Sequence, residues 1–469
     1  MIIIAFAVGI LLPSLSGWLL LRLLEGRTPV LFRTERWALG FLWGGTLTMS
    51  ATFLLAAAGL PFNRPGFLAV QFVSLLLLAA IAWKRWGAGL FRRPVVTVAP
   101  SHKPPLRTTI LLVLLGLWTV AKIGTGAAVL VSTPPFFDDT VKNWNFRGKI
   151  FFQTQTIANG APGDARDLLG ALASYPPAVS LHKTWLASLA GEWNEGLVNS
   201  IHIVWFGALL ILFYGLLRRS LSRSWSVAGV CILATIPLLL IHGTQAYAEV
   251  FLAAHLLAAV SFLFLAVRSG DHAERFSFLR LSAVAMALLP LTKNEGLALY
   301  LPILLFLFAI SLFILRRRGA LEIRSLRLSI LTLVTASLVF AGPWLAYKWS
   351  HGLTFGNAKA LSATVFHWEP LAAQSIAVNL FFEGNWLLLF PLLAVAIALA
   401  WRSAFRSPLV VLTAAFLLPF VAQIALFLLT SLSVEAVYQT GYSRGVVQIV
   451  PIAVALLVLL MHRLLTSEE

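Results

Sequence analysis

The chain is a succession of long apolar runs separated by short polar stretches, most of them basic. A run of about 20 apolar residues is long enough to carry an α-helix through ~30 Å of hydrocarbon. This pattern predicts thirteen spans, near 2–21, 37–60, 67–83, 109–131, 198–217, 224–241, 246–267, 278–292, 297–315, 328–347, 385–401, 408–430 and 446–461. The first has neither a basic n-region nor a small-residue cleavage site, so it reads as an anchor rather than a removed signal peptide. No span carries a strict GxxxG repeat, and no internal duplication is visible. The fold expected is an all-α polytopic membrane protein. Two polar segments, 132–197 and 348–384, are too long for simple turns, and loops of that length usually carry function.

Composition excludes a soluble globule. The 469 residues are 59% hydrophobic and 11% charged, against about 25% charged in soluble domains. One cysteine, Cys231, excludes intrachain disulfides and any Cys-based metal cluster. The net charge is +17, and its distribution gives an orientation. The alternate loops that include Arg22–Arg36, Lys84–Arg107, Arg218–Arg223, Arg268–Arg280, Arg316–Arg327, Arg402–Arg406 and the Arg463 tail hold 24 Lys and Arg; the opposite loops hold 10. The richer set is expected in the cytoplasm, which places the N-terminus and segment 132–197 outside and the C-terminus inside. Acidic residues run the other way, 7 inside and 11 outside. No nucleic-acid-binding motif interrupts the basic loops, so they read as membrane topology.

Polar chemistry gathers in the external segments. Segment 132–197 opens with Phe136-Phe137-Asp138-Asp139. Adjacent carboxylates repel, and partial desolvation beside the Phe pair raises the proton affinity of at least one, which suits a general base for an alcohol or amine. Asp139 also suits the start of a helix over 140–152, but capping accounts for one Asp and not for two. Within that helix Lys142, Arg147 and Lys149 alternate with Trp144, Phe146, Phe151 and Phe152, the pattern of an interfacial amphipathic helix. Its cations serve either to anchor it or to hold a lipid phosphate. Further on, Pro176-Pro177 fixes an extended turn that sets the directions of Tyr175, His182 and Lys183.

The eighth span is short. Arg280 to Lys293 covers about 20 Å of helix, less than the hydrocarbon thickness. Lys293-Asn294-Glu295-Gly296 is therefore either a recessed ion pair or phosphate site at a helix start, or a snorkelling turn counted from Arg275. Other charges near the outer boundary are Glu249 in Tyr247-Ala248-Glu249 and Arg444 in Tyr442-Ser443-Arg444-Gly445. Lys122 lies inside the fourth span. His202 and His255 read as packing or hydrogen-bonding residues.

Taken in order, these segments resemble the GT-C membrane glycosyltransferases that use polyprenyl-phosphate sugars, among them protein mannosyltransferases and lipid A aminoarabinose transferases. The resemblance rests on Asp138-Asp139, Tyr175-Pro176-Pro177, Tyr247-Ala248-Glu249, Lys293-Asn294-Glu295-Gly296, and Arg444 followed by Pro451. It covers roughly 109–461, dividing the chain into additional spans (1–108), a catalytic unit (109–347), and a second external loop with C-terminal spans (348–469). It implies an inverting transfer of a monosaccharide from a lipid-linked phosphate to an extracytoplasmic lipid, glycan or protein, in a bacterial plasma membrane. Asp138 or Asp139 would be the base. Lys293 and Arg444 would hold the donor phosphate, and Tyr175, His182, Lys183, Tyr247, Glu249 and Glu295 would line the substrate site. No cofactor is required, although Asp138, Asp139 and Glu249 offer ligands for an optional divalent cation. A transporter or flippase of lipid-linked glycans is the alternative; it leaves the paired acids and the large loop unexplained.

Overall fold

The computed structural model describes residues 1–26, 29–100, 103–157, 169–354 and 366–466. Parts of both long polar segments, 158–168 and 355–365, lie outside the described residues. Among the described residues the structure is helical, with one isolated antiparallel bridge between Phe366 and Thr430. The N-terminal half contains α1 (Ile2–Leu24), α2 (Arg33–Ala57), α3 (Arg64–Trp86), α4 (Leu106–Ser132), α5 (Phe146–Thr154), α6 (Ala178–Ala190), α7 (Glu195–Arg218), α8 (Arg223–Thr235) and α9 (Pro237–Gly243). The C-terminal half contains α10 (Glu249–Arg268), α11 (His272–Leu288), α12 (Leu301–Arg317), α13 (Ile323–Ala336), α14 (Gly342–Ser350), α15 (Pro370–Phe381), α16 (Leu389–Leu399), α17 (Trp401–Ala404), α18 (Val410–Leu429), α19 (Ser433–Val437) and α20 (Tyr442–Thr466).

Ten of these helical stretches are long and apolar enough to cross a membrane, and the bent pair α8–α9 brings the number to eleven. The structure therefore supports a multi-pass membrane protein. Three predicted spans look different from their sequence pattern. The 224–241 run bends by 78° between α8 and α9, because Pro237 cannot continue the hydrogen-bond ladder and forces Ile236 out of helical geometry. The 278–292 run ends its α-helix at Leu288 and tightens into a 3-10 turn over Leu289–Leu291 around Pro290. The 385–401 run forms an 11-residue helix, α16.

Burial sorts the spans radially. α10 has 94% of its apolar window buried and α20 has 83%, whereas α4 has 6%. The axis of the bundle is thus α10, packed by α7, α11 and α20. Between α1 and α2 the backbones touch. A Cβ on Gly17 would lie 1.9 Å from Gly40 O, and one on Gly44 would lie 1.8 Å from Pro13 O. Gly40 and Gly44 are four residues apart, so a single Gly-xxx-Gly pair makes the contact that no repeat announced.

The two ends of the bundle separate the polar groups. The loops richest in Lys and Arg meet at one end: Arg22 Nε donates to Leu90 O (3.0 Å), Arg218 to Ala99 O (2.7 Å), Arg268 to Arg219 O (2.8 Å) and Ser277 Oγ to Glu25 O (3.2 Å). At the other end Arg64 donates to Ser188 O (2.8 Å) and Lys348 to Ser174 O (2.6 Å), joining the polar segments that the charge tally put together. The expected amphipathic helix after Asp139 is a π-turn over Thr140–Asn145 running into α5. Two of its aromatics turn inward, Trp144 and Phe151, with Phe151 against Phe62 at 5.2 Å between centroids, while Phe146 is exposed. Arg147 is buried too.

Candidate functional site

The cluster at the second end grows from the first turn of α10. Glu249 opens that helix, where the unpaired N–H groups favour a carboxylate. The axial position of α10 buries it to 1% exposure. A lone buried carboxylate would be costly, and the turn after Leu289–Leu291 brings Lys293 to it. Lys293 Nζ lies 2.9 Å from Glu249 Oε1 and 2.9 Å from Glu295 Oε1. The recessed ion pair is thus the arrangement adopted. Burial opposes the charge on Lys293, but Glu249 and Glu295 together outweigh it and hold its pKa above the usual lysine value. Glu295 leaves 41% of its side chain exposed and marks where the cluster opens.

The proline break between α8 and α9 supplies a member that sequence reasoning did not single out. His242, near the end of α9, has Nδ1 3.4 Å from Glu249 Oε2, without forming a hydrogen bond. Its ring packs at a tilt against Tyr247, 4.4 Å between centroids, and Tyr247 in turn packs at a tilt against Phe137 at 5.3 Å. The aromatic path therefore leads from the buried ion pair to the Phe-Phe-Asp-Asp segment. Burial pushes the Tyr175 phenol up to about 12, with Lys293 opposing, so its hydroxyl stays a protonated donor at neutral pH.

The two aspartates diverge. Asp139 Oδ2 forms an ion pair with Arg444 at the start of α20, and its Oδ1 accepts from Asn143 Nδ2 at 3.0 Å. A candidate base and a candidate phosphate cation therefore occupy one another. Asp138 is exposed and pairs with Lys142, 2.6 Å away and four residues on.

The Tyr175-Pro176-Pro177 turn is held from two sides. Arg147 Nη1 donates to Tyr175 O at 2.6 Å, and Lys348 Nζ donates to Ser174 O at 2.6 Å. His182 and Lys183 lie deeper. His182 packs among Phe41, Trp205 and Phe251, with Nδ1 2.8 Å from Ala178 O, and burial lowers its pKa to about 4. Lys183 Nζ donates to Asn145 Oδ1 and, at 2.8 Å, to Asn199 Oδ1. Burial pulls its pKa down to about 7, with Glu195 opposing. His202 Nδ1 meets Tyr247 O at 3.0 Å, and His255 Nε2 meets Thr46 Oγ1 at 3.1 Å, the hydrogen-bonding roles expected of them.

Among the described residues no three His, Cys, Asp or Glu side chains gather as a metal-holding group. Asp138, Asp139 and Glu249 are instead each matched to a cation. An open cleft of about 580 Å³ beside Arg402 and Arg463 lies at the opposite, basic end. No family model, no curated protein and no solved structure matches the chain.

Proposed function

We propose that the protein is an inverting glycosyltransferase that moves a monosaccharide from a polyprenyl-phosphate donor to an extracytoplasmic lipid, glycan or protein. The supporting observation is convergence. Asp139, Tyr247 with Glu249, Lys293 and Arg444 come from four separate stretches of chain, yet ion pairs and ring contacts connect them at one end of an apolar bundle.

The orientation belongs to the same proposal: this end faces outward from a plasma membrane and the basic end faces the cytoplasm. So does the span count. On this reading α8–α9, α11 and α16–α17 are counted as three further crossings beside the ten long helices, which gives the thirteen of a GT-C-like arrangement. Sugar nucleotides are absent outside the cytoplasm, so a lipid carrier delivers the sugar.

In the reaction an Asp carboxylate takes the proton of the acceptor hydroxyl as its oxygen bonds to the anomeric carbon. The bond from that carbon to the phosphate oxygen breaks on the far face, and its electron pair leaves with polyprenyl phosphate. Asp139 is a poor base while Arg444 holds it. A donor phosphate that takes Arg444 releases the carboxylate at the moment the substrate is in place. Asp138 needs no such release, because an exposed pair with Lys142 is worth less than ~1 kcal/mol. Lys293 and Arg444 stabilise the charge gained by the leaving group. Loss of one such cation should raise the barrier by about 3 kcal/mol, near a hundredfold in rate.

Transfer of radiolabelled sugar from a purified polyprenyl-phosphate donor tests the reading. Wild-type protein should label an acceptor, and an Asp138→Asn, Asp139→Asn double variant should not. Labelled donor that crosses vesicles without losing its sugar would establish the flippase instead.

A further inference from the structure

Lys122 is the charge that the proposed reaction does not use. It lies on α4, the span with the least protein around it. Ten residues separate it from Ser132 and sixteen from Leu106, about 15 Å and 24 Å of helix. Across a ~30 Å hydrocarbon layer, that depth is near the middle. Its side chain is exposed to the surroundings of the bundle. Among the described residues the ammonium has no hydrogen-bond or ion-pair partner, only the Trp118 ring with its centroid 4.8 Å away.

Snorkelling does not resolve this. The nearer surface is the one at Ser132, but Cα–Cβ bonds point toward the helix N-terminus. Trp118 lies one turn in that direction, so the ammonium is drawn toward the farther surface. A charge at such depth ordinarily faces a polar cavity or pairs with an opposite charge. Here the bundle supplies neither.

The helix face beside Lys122 has a second property. Leu111, Leu115, Trp118, Thr125 and Val129, within about 60° of Lys122 around the helix, are exposed. α4 meets the rest of the protein through the adjoining side, where Thr119 and Leu130 are buried and Gly126 abuts Thr244. An uncovered helix face with a charge at its centre leaves that charge to be matched from outside the bundle.

We propose that α4 is a docking face for a transmembrane helix of another protein, carrying a carboxylate that pairs with Lys122 near the middle of the bilayer. A second copy of this chain does not fit. Among the described residues of the long spans, Glu35 is paired with Arg219, Glu249 with Lys293, and Glu195 with Asn145 and Trp193. No exposed carboxylate is left at this depth to offer.

The full-length protein in lipid vesicles, labelled at an engineered cysteine, is titrated with synthetic single-span Leu/Ala helices that carry a fluorescent acceptor. One helix has a central Glu; its control has Gln there. The Glu helix should associate at least tenfold more tightly than the Gln helix. Lys122→Met should abolish that preference. Equal association of the two helices with wild type, or a preference that survives in Lys122→Met, overturns the proposal. Self-association of the protein that is lost in Lys122→Met overturns the choice of partner. Unchanged size-exclusion elution of Lys122→Met establishes that it is folded.

Discussion

The two ends of the bundle hold buried ion pairs of different quality. At the basic end Glu25 receives Arg36 through two bonds of 2.9 Å and the backbone N–H groups of Val30 and Leu31 at 2.8 Å each. Glu35 receives Arg219 the same way, at 3.0 and 2.7 Å. These are planar guanidinium forks that fill the carboxylate lone pairs, the arrangement that repays desolvation. At the other end the cation is a lysine, a point charge with no fork. There Glu249 keeps Oε2 without a hydrogen bond, His242 stands 3.4 Å off, and Glu295 opens to solvent. Saturated pairs fix three helices and leave no capacity for a ligand. Unsaturated pairs retain capacity, which is what a substrate site needs.

That contrast can be broken by mutation. The largest effect should come from Glu25→Ala, which strands Arg22 and Arg36 in a buried site and should cost about 3–5 kcal/mol of stability; thermal unfolding in detergent measures it. Lys293→Met should destabilise through the stranded Glu249, and adding Glu249→Gln should recover most of that loss while sugar transfer stays down about a hundredfold. A double variant with normal transfer would make this end as structural as the other. A smaller effect is expected from pH. Lys183, held near 7, sheds a proton that the unfolded chain keeps until about pH 10.5, so stability should rise with pH across that window. Lys183→Met should flatten the rise relative to wild type. Least of all, Lys142→Ala should change stability by under ~1 kcal/mol, since its pair with Asp138 is exposed.

What the sequence revealed follows from what is local. Apolar run length located the ten long spans, because a helix in lipid needs only its own backbone partners. Run length missed the bend before Pro237, although the proline itself was the available signal. The ion pair of Lys293 is one of two readings that the shortness of its span leaves open; its partner Glu249, 44 residues earlier, cannot be named from spacing. The Asp139–Arg444 pair joins positions 305 apart, beyond any periodicity. Arg147 was read as an interfacial cation because alternation with aromatics looks the same whether the aromatic face meets lipid or protein. His242 was passed over as the tail of an apolar run, and only the bend turns it toward Glu249.

The backbone contact between α1 and α2 has a consequence for how the molecule is built. All of its glycines lie before residue 45, and neither helix needs a later segment to bring them together. Once the chain has been inserted as far as Ala57, a paired hairpin can already exist. The remaining helices then assemble during synthesis onto a preset wedge, with its bidentate arginine Arg36 in place at one end. A side chain at Gly17 or Gly44 would therefore be felt first as failed biogenesis, before any finished protein existed to be assayed.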